Sequence, residues 1–237
     1  MSSSLAIQIN ALQFRWRRNL PEVLNIREMN VACGERVFIH GPSGSGKSTL
    51  LSLLAGVNLP TAGEVQVLGK SLGTLSGPQR DHFRSDHIGF IFQLFNLIPY
   101  LSVLENVTLP CRFSRLRKNK VLNSNATLED EALRLLKHLD MANEELIHRP
   151  ITELSVGQQQ RVATARALIG APEIIIADEP TSALDSDMRQ AFLQLLFQEC
   201  EATRSTLLFV SHDRELEPLF EHQIALDEIN QPRRDEQ

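Results

Sequence analysis

Cysteine is scarce in this chain and nowhere paired. Cys33, Cys111 and Cys200 stand far apart and form no Cys-x-x-Cys. That argues against a zinc site or a disulfide framework, and for three small buried thiols in a reducing compartment. A basic excess is missing too. The net charge of -5 argues against a dedicated nucleic-acid binder, while leaving room for local basic patches. No stretch approaches the roughly 20 apolar residues that cross a bilayer. The start, Met1-Ser-Ser-Ser-Leu-Ala-Ile-Gln-Ile9, lacks a charged n-region and a continuous apolar h-region, so no secretory signal is expected. If the protein serves a membrane, it does so from the cytoplasmic side through a partner. No internal repeat of motif length is present.

What remains is an ordinary globular composition, 42% hydrophobic and 22% charged over 237 residues. That length suffices for one substantial core, or for one domain with a smaller lobe. Residues 5 to 40 hold short alternating runs, Leu5-Ala-Ile-Gln-Ile9 and Val37-Phe-Ile-His40, separated by turn signals such as Cys33-Gly34-Glu35. They predict a β-rich entry region. From Lys47 the period becomes helical, with Leu50, Leu51, Leu53, Leu54 and Val57 on one pattern that ends near Gly56. Strand-like runs return at Gly63 to Val67 and Ile88 to Phe92. Residues 95 to 170 read as mainly helical, a second lobe in which polar Lys118 to Asn125 predicts a loop. Thr127 is a candidate N-cap, with Glu129, Asp130 and Glu131 suited to the positive helix end. Two β-α units follow: Glu173 to Ala177 into a helix near 186 to 200, then a strand at Thr206 to Ser211. The segment from Asp227 onward is polar and is expected to fray.

The first chemical motif is Gly41-Pro-Ser-Gly-Ser-Gly-Lys-Ser-Thr49, a G-x-x-x-x-G-K-[ST] loop after a strand and before a helix. Its glycines let the backbone wrap phosphate oxygens with N–H groups turned inward. The helix start adds its positive dipole end. Gly41, Ser43, Gly44, Ser45, Gly46, Lys47, Ser48 and Thr49 form the expected ATP-binding set. Lys47 brings charge to the β- and γ-phosphates, and Ser48 supplies a hydroxyl for Mg²⁺. A Gly-Ser linker would not explain Gly-Lys-Ser-Thr or its flanking elements.

Glu173-Ile-Ile-Ile-Ala177 reads as a strand buried on both faces, because it lacks alternation. Asp178 and Glu179 then fall at its carboxyl end, where open α/β sheets bind ligands. Two adjacent acids can divide the labour, Asp178 holding the Mg²⁺ shell and Glu179 taking a proton from the attacking water. The bland reading is a solvated Asp-Glu-Pro turn. Leu154-Ser-Val-Gly-Gln158 precedes a predicted helix from Gln159 to Ile169, for which Ser155 is a candidate cap. His212 follows the apolar run Leu207 to Val210.

In this order, with Gln93 among them, the motifs resemble the nucleotide-binding subunit of an ATP-binding cassette (ABC) transporter, over nearly the whole chain. The resemblance implies an α/β fold: a P-loop NTPase ABC ATPase with a RecA-like core, an N-terminal antiparallel β region and a helical subdomain. A single domain over 1–237 would divide into core plus β region (about 1–94 and 171–230), helical subdomain (about 95–170) and polar tail (231–237). It implies that Ser155, Gly157 and Gln158 press on the γ-phosphate held by a second copy. Two ATP molecules then glue a head-to-tail homodimer, which hydrolysis releases. Val156 departs from the commonest Leu-Ser-Gly-Gly-Gln form. A β-branched residue adopts positive φ poorly, so either the backbone there is ordinary or clamping is weakened. The same resemblance makes Ser182-Ala-Leu-Asp185 a dimer-contact loop, with Asp185 alternatively a helix N-cap. It makes His212 a γ-phosphate sensor, and Gln93 a contact to Mg²⁺ and water that links the lobes. Trp16 falls where the family stacks an aromatic ring on adenine. Phe14 is its rival, and core packing is the other reading for either ring.

Residues 88 to 110 look most like the lipoprotein-releasing and macrolide-exporter group, whose membrane partner has few spans and a large extracytoplasmic domain. That implies a transport-coupled ATPase on the cytoplasmic face of the inner membrane, working with integral membrane subunits and no nucleic acid. An amino-acid importer ATPase is the runner-up. A soluble ABC ATPase is disfavoured by the single cassette and the absence of sustained heptads over 57 to 153, and a P-loop kinase would not carry Leu154 to Gln158. Phe95, Leu97, Ile98, Tyr100 and Leu101 either line a groove for a partner's cytoplasmic helix or pack on the chain's own helices. Arg112, Arg115, Arg117, Lys118 and Lys120 either approach anionic lipid or form a solvated helix face.

Overall fold

The structure is a computed structural model that describes residues 4–141, 144–182, 184 and 186–232. Its chain forms two compact units, residues 1–84 with 206–237, and residues 85–205.

The first unit opens as an antiparallel sheet. Strands β1 (Leu5–Phe14), β2 (Leu24–Ala32), β4 (Ala62–Val67) and β5 (Lys70–Ser71) run in the order β2-β1-β4-β5. Alternation holds up to Ile9 and again from Leu12, and an irregularity at Ala11, with φ of 49°, shifts it by one residue between them. Ile7, Ile9, Leu12 and Phe14 turn inward from β1 and meet Leu24, Ile26, Val65 and Val67 on the same buried side. The unit also holds three parallel strands, β8 (Thr206–Val210), β3 (Arg36–His40) and β9 (His222–Ala225), with β3 in the middle. Phe38, Phe209 and Phe220 cluster on them, with ring centroids 5.2 to 6.2 Å apart. Helix α1 (Lys47–Leu54) buries Leu50, Leu51, Leu53 and Leu54, as its period predicted, whereas Val57, read on the same pattern, lies past the helix and is exposed. The unit's first segment ends in α2 (Gly77–His87).

The second unit pairs β6 (Ile88–Ile91) in parallel with β7 (Ile174–Asp178). Ile174 to Ala177 are all buried, the continuous apolar strand its composition required. Its helices are α3 (Val103–Thr108), α4 (Pro110–Phe113), α5 (Arg115–Asn123), α6 (Leu128–His138), α7 (Val156–Leu168) and α8 (Ser186–Thr203). Thr127 caps α6 as expected. Its hydroxyl accepts from the Asp130 N–H at 3.0 Å, while Asp130 Oδ2 accepts from the Thr127 N–H at 2.9 Å.

Three expectations need correction. Lys118 to Asn123 is not loop but the body of α5, capped by Ser114, whose hydroxyl accepts from the Arg117 N–H. The chain after Asp227 does not fray at once, because Leu226–Ile229 forms α9 and Asn230 is bonded behind it. Of the three cysteines, Cys33 is exposed, while Cys111 and Cys200 are buried. Burial pushes the Cys111 thiol up from its ordinary range.

Glu173, just before β7, ties α5 to the end of α2. Lys120 Nζ donates to Glu173 Oε1 at 2.8 Å, and His87 Nδ1 lies 2.9 Å from Oε2. Burial alone would raise this carboxyl, but hydrogen bonds with His87 and Lys120 outweigh it and hold it at about 2. The folded value lies below the ordinary carboxylate value of 4.5, so the stabilisation is present above that pH and fades as pH falls toward the folded value. A shift of this size is worth roughly 3 kcal/mol in a dry site, and solvent around a partly exposed carboxylate reduces it to about 1 kcal/mol. Glu173→Gln is expected to lose about that much in urea unfolding near pH 7, with the gap to wild type narrowing by about pH 3. A constant gap across that range would refute the assignment.

Candidate nucleotide site

The phosphate loop leaves the carboxyl end of β3, and His212 leaves the neighbouring end of β8. Ile39 pairs with Val210, and the Ser211 N–H donates to Ile39 O at 3.2 Å, so both segments emerge side by side. Gly46 is the N-cap of α1 with φ of 100°, a left-handed conformation that a side chain resists. A Cβ there would also lie 2.7 Å from Leu24 Cδ2. At Gly41 a Cβ would sit 2.8 Å from Ser45 Oγ, so the curl of the loop itself excludes a side chain. Lys47 Nζ donates to the carbonyls of Gly41 at 2.7 Å and Pro42 at 3.0 Å, which folds the ammonium across the mouth of the loop. Ser45 Oγ is buried with no hydrogen-bond partner among the described residues. Ser43, Gly44 and Ser48 are exposed, while Thr49 is half-buried.

Sequence reasoning missed one support of this loop. The Asn230 side chain accepts from the Asn25 N–H at 2.7 Å and donates to Val23 O at 2.9 Å and to Ser45 O at 3.2 Å. It anchors the loop to the start of β2 from the far end of the chain. Nothing local to residues 226–230 signals this, since the partners lie about 200 positions away.

The two candidate rings differ in burial. Phe14 is 5% exposed and belongs to the inward face of β1, whereas Trp16, past the strand end, is 55% exposed. The two rings meet edge to face at 5.1 Å.

In the second unit Asp178 closes β7, Glu179 follows it, and Gln93 lies just beyond β6, whose Ile91 pairs with Ala177. Parallel pairing therefore brings Gln93 to Glu179. The Gln93 Nε2 donates to Glu179 Oε2 at 3.4 Å, a long bond. Glu179 has φ of 46°, unusual for a residue with a side chain, and such strain gathers at functional positions. The turn after Gln93 is pinned by two buried polar groups read only as parts of longer motifs. Asn106 accepts from the Ile98 N–H at 2.8 Å and donates to Ile98, Leu101 and Ser102 carbonyls. Arg166 donates to Phe95 O at 2.6 Å and Asn96 O at 2.7 Å, and burial lowers its guanidinium to about 10. A lone amide and a lone guanidinium inside apolar helical runs were the available signal. Phe95, Leu97, Ile98 and Leu101 are half-buried around this turn, and Tyr100 is exposed.

At the start of α7, Ser155 is the N-cap of a capping box. Its hydroxyl accepts from the Gln158 N–H at 3.3 Å, and Gln158 Oε1 accepts from the Ser155 N–H at 2.9 Å. Val156 is the first helical residue, with an ordinary helical backbone and a side chain 52% exposed. Of the two readings for Val156, the ordinary backbone is the observed one. The Val156 and Gly157 N–H groups begin the helix and have no intrahelical acceptor. Asp185 lies outside the described residues. No described helix is long and apolar enough to cross a membrane.

Comparison with known proteins accounts for this set. The ABC transporter family matches residues 24–182. The lipoprotein-releasing system ATP-binding protein LolD of Psychrobacter arcticus is 41% identical over 205 residues, covering 86% of this chain and 87% of that one. The uncharacterized ABC transporter ATP-binding protein MJ0796 of Methanocaldococcus jannaschii is 44% identical over 185 residues, 78% of this chain and 77% of that one. The dimeric structure of the MJ0796 cassette in a post-hydrolysis state, bound to ADP and Pi, superposes with a TM-score of 0.79 at 33% identity, covering 98% of this chain and 99% of that one. The fold is that of a P-loop ABC ATPase, with a RecA-like core, an antiparallel β region and a helical subdomain. The chain belongs to the ABC transporter ATP-binding family and resembles its lipoprotein-releasing members.

Proposed function

We propose that this chain is the ATP-hydrolysing motor subunit of a transporter of the lipoprotein-release type. It works as a head-to-tail homodimer at the cytoplasmic face of the inner membrane, with integral membrane partners. The observation that carries the reading is the form of the phosphate loop. Gly46 opens α1 in the left-handed conformation, Lys47 crosses the loop mouth, and the buried Ser45 hydroxyl lacks a partner among the described residues. An anion with several acceptor oxygens satisfies all three. Identity to a lipoprotein-releasing ATPase across most of both chains supports the branch.

Roles follow residue by residue. The loop residues Gly41, Ser43, Gly44, Ser45, Gly46 and Thr49 wrap the phosphates, and Lys47 turns its ammonium from the loop carbonyls to phosphate oxygens. Trp16 stacks on the adenine, since Phe14 is committed to the core. Ser48, Gln93 and Asp178 offer hard oxygen donors, the kind that suits Mg²⁺. Bound there, Mg²⁺ would neutralise charge developing on the β- and γ-phosphate oxygens. Glu179 takes the proton of the attacking water, Gln93 orients that carboxylate, and His212 senses the γ-phosphate. Ser155, Gly157 and Gln158 address the γ-phosphate of the second copy's ATP, using the unpaired N–H groups at the start of α7. Asp185 joins the dimer contact.

The test is to tag the chain, solubilise membranes gently and identify what co-purifies. A few-span protein with a large extracytoplasmic domain is the expected result. A polytopic permease with a soluble binding protein would move the assignment to an importer. Recovery with ribosomes or DNA would overturn the transport reading.

A further inference from the structure

The chain is acidic as a whole, yet no Asp or Glu occurs after Glu105 until Glu129, while Arg112, Arg115, Arg117, Lys118 and Lys120 all lie in that interval. The fold sorts these cations. Arg117 is buried, and Lys120 is spent on Glu173 and on Ala171 O. Arg112 faces solvent with one long approach to Glu105, at 3.8 Å. The side chains of Arg115 and Lys118 are exposed and make no hydrogen bond or ion pair among the described residues. On α5 the spacing of Arg115, Lys118 and Leu122 places all three on one stripe, turned away from buried Arg117. Leu122 is 45% exposed, and Phe113, at the end of α4, is 68% exposed.

From this arrangement we infer that the exposed α4–α5 face is a contact for the headgroup layer of an anionic bilayer. Each half of the pattern asks for a different part of that partner. Arg112, Arg115 and Lys118 meet lipid phosphates, while Phe113 and Leu122 enter the boundary between headgroups and acyl chains. A nucleic acid would use the cations and leave Phe113 and Leu122 in water. The inference does not rest on the transport reading, because it concerns a surface that the chain presents by itself.

Sedimentation of the full chain with vesicles tests it, using pure phosphatidylcholine beside vesicles with one part phosphatidylglycerol to two parts phosphatidylcholine. Binding is expected only to the anionic vesicles and is weakened by salt. Arg115→Gln with Lys118→Gln removes two exposed cations, each worth about a factor of five, so vesicle affinity should fall roughly thirtyfold. Phe113→Ser keeps the charge and should lose several-fold, most visibly at high salt, where the apolar contact remains. Both variants should retain wild-type helix content and ATP turnover. Equal binding to both vesicle types, or wild-type affinity in the double variant, would overturn the proposal. So would charge-dependent binding to a DNA oligonucleotide with none to vesicles.

Discussion

Glu179→Gln is expected to bind ATP normally, to hydrolyse it at least a hundredfold more slowly, and to accumulate as an ATP-bound dimer. The substitution preserves shape and keeps an oxygen that can accept from Gln93, so the local fold has little reason to change. What it removes is basicity, and a positioned general base contributes about a hundredfold to ten-thousandfold. The geometry makes the carboxylate hard to replace. Glu179 sits directly after β7 with φ of 46° and is followed by Pro180, a backbone that aims one particular side chain. Parallel pairing of β6 with β7 delivers Gln93 to that carboxylate at 3.4 Å. A neighbouring acid cannot take over by small adjustment, because Asp178 is still within the strand. The measurements are phosphate release under saturating ATP, and light scattering of the variant with and without nucleotide. Wild-type turnover would remove Glu179 from the chemistry. Slow turnover without dimer accumulation would instead separate hydrolysis from dimer release.

The sequence displayed most clearly those features whose partners are close along the chain. The phosphate loop, the capping boxes at Thr127 and Ser155, and the apolar run of β7 are each set by neighbours within a few residues. The alternation at the end of β1 made the burial of Phe14 legible, since an inward face that includes Leu12 must also include Phe14. What failed depended on distant partners. Lys118 to Asn123 looks like a loop by composition because its stabilising contact, Arg117 against α7, is some 50 residues away. Asn230 looked like tail because the carbonyls it bonds belong to Val23 and Ser45. Read by charge alone, the basic run was a single feature, and only folding separated its buried, paired and exposed members.

Arg117 leads to the second large effect, an expected loss of about 3 kcal/mol in Arg117→Met, or a melting temperature lower by about 8 °C for a chain of this size. Helix α7 ends at Leu168, and the carbonyls of its last turn have no helical donor. Arg117 supplies one from α5. Its Nε donates to Ile169 O at 2.8 Å, and Nη2 to Ala167 O at 2.7 Å and, more weakly, to Arg166 O at 3.3 Å. A cation at the negative end of a helix adds a favourable dipole interaction. Burial opposes this, lowering the guanidinium to about 10, so the group remains charged near neutral pH at the cost of desolvation. Methionine recovers that desolvation and much of the packing, but leaves buried carbonyls unpaired, which is why the expected net loss is moderate. Arg115→Met is the matched control. It removes the same charge from the exposed side of the same helix and should stay within about 0.5 kcal/mol of wild type. Equal stability of the two variants would show that Arg117 contributes only its bulk. The opposite end of α7 carries Ser155 and Gln158, so Arg117 fixes the far end of the helix assigned to meet ATP. Loss of this anchor should therefore lower the temperature at which ATP turnover fails, while turnover well below the melting range stays close to wild type.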